Sequence, residues 1–240
     1  MITIQTSDLT KKYGVKTAVD SLNFSVNQGE LFALLGVNGA GKTTTIKMLS
    51  CLSKPTSGNA TLMGHSILTD PQKVKEIINV SPQETAIAPN LSIKENLELI
   101  AGIYGVNPAS ESSKIVSRLG LSEVQKDKAK TLSGGWQRRL SIAMALISEP
   151  QILFLDEPTL GLDVLARREL WAVISSLKGK TTIILTTHYM EEAEALSDRV
   201  GIMTNGKLKA TGTPKELVAL SGKSNFEDAF VQIATQGTAQ

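Results

Sequence analysis

The sequence predicts an α/β fold: a mainly parallel sheet, an antiparallel β portion and an inserted helical block. Three patterns predict it. Short continuous apolar runs such as Leu31–Leu35 and Ile152–Leu155 have the length of strands buried on both faces and alternate with helical segments, which argues for a parallel sheet. The first sixty residues alternate apolar and polar positions, as half-buried strands do. From about Asp70 to Ser148 the pattern turns helical, with no strong strand after about Val80, so this block reads as an insertion in one core.

Taken in order, Ile2, Ile4 and Leu9, then Val19, Leu22, Phe24 and Val26, then Leu31–Leu35 mark strands split by polar turns. A helix starts near Thr44 and reaches Ser50. Ser92-Ile93-Lys94-Glu95 is a capping box, in which the first and fourth side chains satisfy each other's backbone N–H, and it opens a helix through Leu97, Ile100 and Tyr104. Ile115, Val116 and Leu119 mark a second helix, stopped by Gly120, and Ser133–Ser148 a third. The core resumes with the strand Gln151–Leu155, ending at Asp156. A helix from about Asp163 to Leu177, a strand Thr181–Leu185, a helix Tyr189–Leu196 and a strand Val200–Met203 follow. Asn205-Gly206 is a two-residue hairpin turn, so Lys207–Thr211 returns antiparallel. Pro214 starts the last helix, and the chain past about Phe230 is small and polar, as a loose tail would be.

The chain has 240 residues, enough for one large α/β domain or a domain with a subdomain. A net charge of +2 is too small for the concentrated basic face that nucleic acid needs. No segment approaches the ~18 consecutive apolar residues of a membrane span, and Met1–Gln5 lacks the layout of a signal peptide. Cys51 is the only cysteine, which excludes an internal disulfide and fits a reducing cytosol.

Gly36-Val37-Asn38-Gly39-Ala40-Gly41-Lys42-Thr43 fits the phosphate-binding pattern G-x-x-x-x-G-K-[ST] between a strand and a helix. Its glycines let backbone approach a phosphate, and the helix start aims N–H groups and a positive dipole end at it. Lys42 suits the β- and γ-phosphates, and the Thr43 hydroxyl suits Mg²⁺. Asp156 and Glu157 end an apolar strand at the edge where open α/β sheets bind ligands; Asp156 suits Mg²⁺ and Glu157 suits a water-polarising base. Ser133-Gly134-Gly135 is a second anion-binding helix start. One nucleotide seldom needs two from one chain, so two chains facing head to tail would each supply one. Singly, these features have plainer readings: acids at a strand end, an ordinary Ser-capped helix, a polar residue at His188, a half-buried strand residue at Tyr13, a turn residue at Gln83.

Together they resemble the nucleotide-binding subunit of an ATP-binding cassette (ABC) transporter, over residues 1–233. Gly36–Thr43 and the following Thr44 match the first nucleotide motif, Leu132-Ser133-Gly134-Gly135 the cassette signature, and Asp156-Glu157 the second nucleotide motif. Gln83 matches the glutamine linking Mg²⁺ and γ-phosphate to the helical subdomain. Gly161-Leu162-Asp163 resembles the loop by which each subunit senses the other, His188 the switch histidine, and Tyr13 the aromatic that stacks on adenine.

The resemblance implies a P-loop NTPase core (1–82 and 150–233) with an antiparallel β subdomain, a helical subdomain at about 83–149, and a loose tail at 234–240. It implies ATP and Mg²⁺ as ligands, with Thr43, Gln83 and Asp156 on the metal. It implies catalysis by Glu157, His188 and Gln83, and nucleotide contacts from Tyr13, Gly36, Asn38, Gly39, Ala40, Gly41, Lys42, Thr43, Thr44, Ser133, Gly134, Gly135 and Asp163. The expected partners are a separate transmembrane permease and a second nucleotide-binding subunit, identical or not, with no nucleic acid; the expected place is the cytoplasmic face of the cell membrane. Two positions depart from the family pattern: Trp136 stands where Gln is usual, and Leu160 where a small or polar residue is usual.

The run His188–Glu194, then Asp198-Arg199-Val200, Gly212-Thr213-Pro214 and Phe226–Phe230, is similar to prokaryotic exporters of drugs, antimicrobial peptides, polysaccharides, sodium or lipids. The rival reading is a soluble mechanoenzyme of DNA repair or translation, which needs long coiled-coil insertions or tandem cassettes.

Overall fold

Alternating and continuous apolar patterns fold into two different sheets in the computed structural model, which describes residues 1–235. Strands β1 (Ile2–Tyr13), β2 (Lys16–Leu22) and β3 (Ser25–Asn27) open the chain, and β4 (Leu31–Leu35) leads into α1 (Lys42–Leu49). Then come β5 (Ser57–Leu62), β6 (His65–Ser66), α2 (Pro71–Ile77) and β7 (Ile78–Ser81). The first sheet is antiparallel, ordered β2-β1-β5-β6 with β3 also on β1. Ile4 pairs with Val26 on one side and Leu62 on the other, so β1 is its spine.

The helical block holds α3 (Ile93–Ile103), α4 (Pro108–Arg118) and α5 (Gly134–Leu146). The capping box of α3 forms as the sequence predicts: Ser92 N–H donates to Glu95 Oε2 at 2.7 Å, and Glu95 N–H to Ser92 Oγ at 3.2 Å. The core continues with β8 (Ile152–Asp156), α6 (Val164–Ser175), β9 (Thr182–Thr187), α7 (Met190–Leu196), β10 (Arg199–Thr204) and β11 (Lys207–Gly212), then α8 (Pro214–Ser221) and α9 (Phe226–Thr235). The second sheet runs β11-β10-β4-β9-β8-β7, parallel except for the β10–β11 hairpin.

Strands β4, β8 and β9 are buried at every residue because both faces of this sheet are covered. Leu31, Ala33 and Leu35 face one core with Leu140, Leu146 and Leu170. Phe32 and Leu34 face the other with Ile46, Leu49 and the first sheet's Ile4 and Leu62. The two-residue period of a strand thus sorts one apolar run into two cores.

The edge strand β7 and the strands β5 and β6 go beyond the sequence reading. α9 also runs to Thr235, past the predicted start of the tail at Phe230, because Phe230 and Ile233 are buried in the core. The rest of that expected tail, 236–240, lies outside the described residues.

Candidate nucleotide site

Parallel register gathers the site. Leu35 pairs with Thr187, Asp156 with Thr186 and Ser81 with Leu155, so the loop after β4, the acids ending β8, His188 after β9 and Gln83 after β7 share one sheet edge. The loop is pinned by Gly36 N–H to Thr187 O at 3.2 Å and by Gly206 N–H to Ala40 O at 3.0 Å. Lys42 Nζ folds back to donate to Gly36 O at 2.7 Å. Gly41, at φ +104°, is the N-cap of α1 and provides no side-chain cap. The first-turn N–H groups of a helix have no intrahelical acceptor, so here they suit an anion. A Cβ on Gly36 would stand 2.4 Å from Met203 O, and one on Gly41 2.5 Å from Ala18 O. Only glycine fits either place.

Gly41 and Lys42 line a cavity of about 470 Å³ together with Tyr13, Asn38, Gly39, Ala40, Thr43, Thr44, Gln83, Glu157 and His188. The structure thus brings eleven sequence-selected residues to one wall, and Gly36 braces it through Lys42. Lys16, Ala18 and Leu160 also line it. Lys16 pairs across the β1–β2 turn with Tyr13, a placement that hairpin register alone could have signalled.

The carboxylates have separate surroundings. Asp156 Oδ1 accepts from the Thr43 hydroxyl at 3.1 Å and from the Thr186 hydroxyl. Glu157 lies between cations and donors: Oε1 is 3.2 Å from Lys42 Nζ, and Oε2 is 3.1 Å from His188 Nδ1. Its backbone sits at φ +48°, a region that non-glycine residues rarely enter and that costs about 1–2 kcal/mol. Two hydrogen bonds from Glu157 N–H, to Thr186 O at 3.0 Å and to Thr186 Oγ1 at 3.1 Å, hold it there. The His188 ring rests on Tyr189 at 4.1 Å between centroids, and Tyr189 on the Arg167 guanidinium at 4.5 Å.

Thr43, Asp156 and Gln83 supply a hydroxyl, a carboxylate and an amide, the hard oxygen set that Mg²⁺ takes alongside phosphate and water. The Thr43–Asp156 contact already joins two of the three.

Arg138, which sequence reading passed over, donates from Nη1 to Pro82 O at 3.0 Å and so ties α5 to the segment carrying Gln83. Burial pushes its guanidinium below the ordinary arginine range, against the opposing pull of Asp156 and Glu157.

Ser133, Gly134, Gly135 and Asp163 stand outside this cavity. Ser133 and Gly134 are exposed at the start of α5, and Gly134 lines a neighbouring cleft with Gln83, Arg138 and Leu160. Asp163 is the N-cap of α6, accepting from Leu165 N–H at 2.9 Å and Ala166 N–H at 3.0 Å. Trp136 packs half-buried beneath the Arg139 guanidinium at 4.5 Å, and Arg139 pairs with Glu169 at 3.1 Å, so it bridges α5 and α6.

Residues 19–160 match the ABC transporter family. The chain is 41% identical over 240 aligned residues to the probable multidrug ABC transporter ATP-binding protein YbhF of Escherichia coli, covering 96% of this chain and 41% of that protein. It is 40% identical over 238 residues to the linearmycin resistance ATP-binding protein LnrL of Bacillus subtilis, covering 98% of this chain and 75% of that one. A solved ATP-binding subunit of an ABC transporter superposes with a TM-score of 0.84 at 29% identity, over 96% of this chain and 99% of its own. The family match runs from before the phosphate loop to just past Glu157, taking in the loop and both carboxylates but not Tyr13 or His188, and the chain belongs to the ABC transporter family, in its ATP-binding part.

Proposed function

We propose that the chain binds and hydrolyses ATP to energise a separate membrane permease, in export. The observation that carries the hydrolytic part is the Glu157 carboxylate, held between Lys42 and His188 on the wall of the phosphate-loop cavity. In this reading the loop N–H groups and Lys42 hold the phosphates, and Tyr13 stacks on adenine. Glu157 takes the proton of the attacking water, and His188 steadies the charge that develops on the γ-phosphate. Thr43, Asp156 and Gln83 would hold Mg²⁺, which neutralises phosphate charge when bound.

Ser133, Gly134 and Gly135 form a helix start outside their own chain's cavity, exposed at Ser133 and Gly134, which supports a second cassette, identical or not, facing head to tail and receiving the γ-phosphate there. Asp163 then lies in the loop toward that partner. The chain reads as one cassette, with 83–149 as the helical subdomain that passes the state of Gln83 outward.

No helix among the described residues is long and apolar enough to cross a membrane; in this reading the membrane pathway is the permease's, with this chain on its cytoplasmic face. Export is supported by relatives named for multidrug transport and linearmycin resistance. The helices of the inserted block have 11, 11 and 13 residues, too short for the coiled-coil arm of a DNA-repair relative.

The test is a pull-down of tagged Glu157→Gln protein from detergent-solubilised native membranes in ATP. A stoichiometric multi-span protein is expected; ribosomes or repair proteins in its place would overturn the transport reading and leave the ATPase chemistry standing.

A further inference from the structure

Glu192 is a fully buried carboxyl in the first turn of α7, and the site described above makes no use of it. Its Oε1 accepts from Trp171 Nε1–H of α6 at 3.0 Å. Its Oε2 is buried without a hydrogen-bond partner among the described residues, and so is the hydroxyl of Thr159, itself fully buried. Thr159 and Thr187 are the hydroxyl side chains beside this carboxyl. The charged group facing it from α6 is Arg167, which spends Nη1 on Glu191 of α7 at 3.5 Å and its plane on Tyr189. Among the described residues no ion pair reaches the carboxyl, and burial pushes it up from the ordinary carboxylate range against the smaller opposing influence of Thr187, Thr159, Trp171 and Arg167.

The neighbours of this carboxyl are informative. Thr159 lies in the turn directly after Glu157, where Leu160 N–H returns to Glu157 O at 3.2 Å. Thr187 precedes His188, its hydroxyl accepts from Tyr189 N–H at 3.0 Å, and its carbonyl accepts from Gly36 of the phosphate loop. One buried carboxyl thus touches the segment behind the base, the strand end that carries the histidine and the helix α6. Thr159 Oγ1 and Glu192 Oε2 are two adjacent groups whose mutual hydrogen bond is open to be made, and a buried polar group left unpaired is unfavourable.

We propose that Glu192 is a positioning residue for ATP hydrolysis, its carboxyl coupling the turn behind Glu157 to the strand end bearing His188 so that base and histidine keep one geometry. The proposal rests on the hydrolytic reading of the site. It is tested by kcat and KM for ATP in wild type, Glu192→Gln and Glu192→Ala. Glutamine keeps the acceptor for Trp171 and offers an N–H group to Thr159, whereas alanine removes both. Glu192→Ala is expected to lower kcat about tenfold or more and Glu192→Gln by no more than about threefold, with KM within about threefold throughout. Wild-type kcat in Glu192→Ala, equal losses in both variants, or a loss carried by KM overturns the proposal. If Glu192→Ala does not fold, Thr159→Val removes only the facing hydroxyl; a kcat about fivefold lower at unchanged KM supports the proposal, and unchanged kcat overturns it. A wild-type protein that binds ATP without hydrolysing it overturns the hydrolytic reading and this proposal together. A working ATPase indifferent to these changes overturns the positioning role alone.

Discussion

Lys42 Nζ lies 3.2 Å from Glu157 Oε1, and both side chains are buried, so the phosphate-loop cation and the candidate base are one ion pair. The same carboxylate meets His188 Nδ1 through its other oxygen at 3.1 Å. In the proposed function, ATP phosphates and Glu157 would compete for one ammonium. Glu157→Gln removes the competing charge and keeps the shape. ATP affinity is expected to stay equal or rise a few-fold, while hydrolysis falls about 100-fold or more with loss of the base. Equilibrium nucleotide binding and steady-state ATPase on one preparation measure both, and retained turnover would remove Glu157 from its assigned role.

Lys42→Ala has the opposite signature. It removes the proposed phosphate ligand and leaves the buried Glu157 with His188 as its remaining side-chain partner among the described residues. ATP affinity is expected to fall at least about tenfold. Stripping one partner from a buried pair also costs about 3 kcal/mol of folding stability. Isothermal binding with denaturant melts reads the two effects separately, and a stable variant with unchanged affinity contradicts both.

The phosphate loop separates two reasons for glycine. Gly39 has φ +83° with open space around its missing Cβ, and Gly41 has φ +104° with Ala18 O only 2.5 Å from where a Cβ would stand. Gly39→Ala is expected to cost about 1 kcal/mol from backbone strain alone. Gly41→Ala adds a clash with backbone that cannot rotate away, for more than about 2 kcal/mol. Urea unfolding of the two variants gives the ranking, and equal losses would show that crowding contributes nothing.

What the sequence reveals of this architecture follows the range of the forces involved. The α3 capping box closes within four residues, and its signature is local. Strands β4, β8 and β9 are legible because burial on both faces forces an unbroken apolar run. β7 is a strand because β8 offers it a ladder, Ile78 to Ile152, and β5, which contains Gly58 and Asn59, is templated by β1; neither has a strong pattern of its own. The site divides in the same way. Lys42, Asp156 and Glu157 sit in short motifs, whereas Arg138 meets Pro82 across 56 positions and Glu192 meets Trp171 across 21, contacts that only the packed helices create. The positive φ of Glu157 has no local mark either, because it is held by the hydrogen bonds that Glu157 N–H donates to Thr186, 29 positions away.

The buried Glu192 also makes a prediction about pH. Burial raises its carboxyl above the ordinary range, so between the unfolded value and the raised folded one the native chain holds a proton that the unfolded chain has lost. Stability then falls as pH rises through that window: the contribution is fully present below the unfolded pKa and gone above the folded one. Arg167 from α6 and Glu191 on α7 are the charged groups facing the same region, and both are present in wild type and in the glutamine variant, so the difference between the two profiles belongs to Glu192. Glu192→Gln mimics the neutral acid and carries no proton to lose. In urea melts across a pH series, the stability of wild type relative to Glu192→Gln is expected to decline steadily from the ordinary carboxylate range upward. Parallel pH profiles would show that the carboxyl is ionised in the native protein and would require a cation to lie closer to it than Arg167 does.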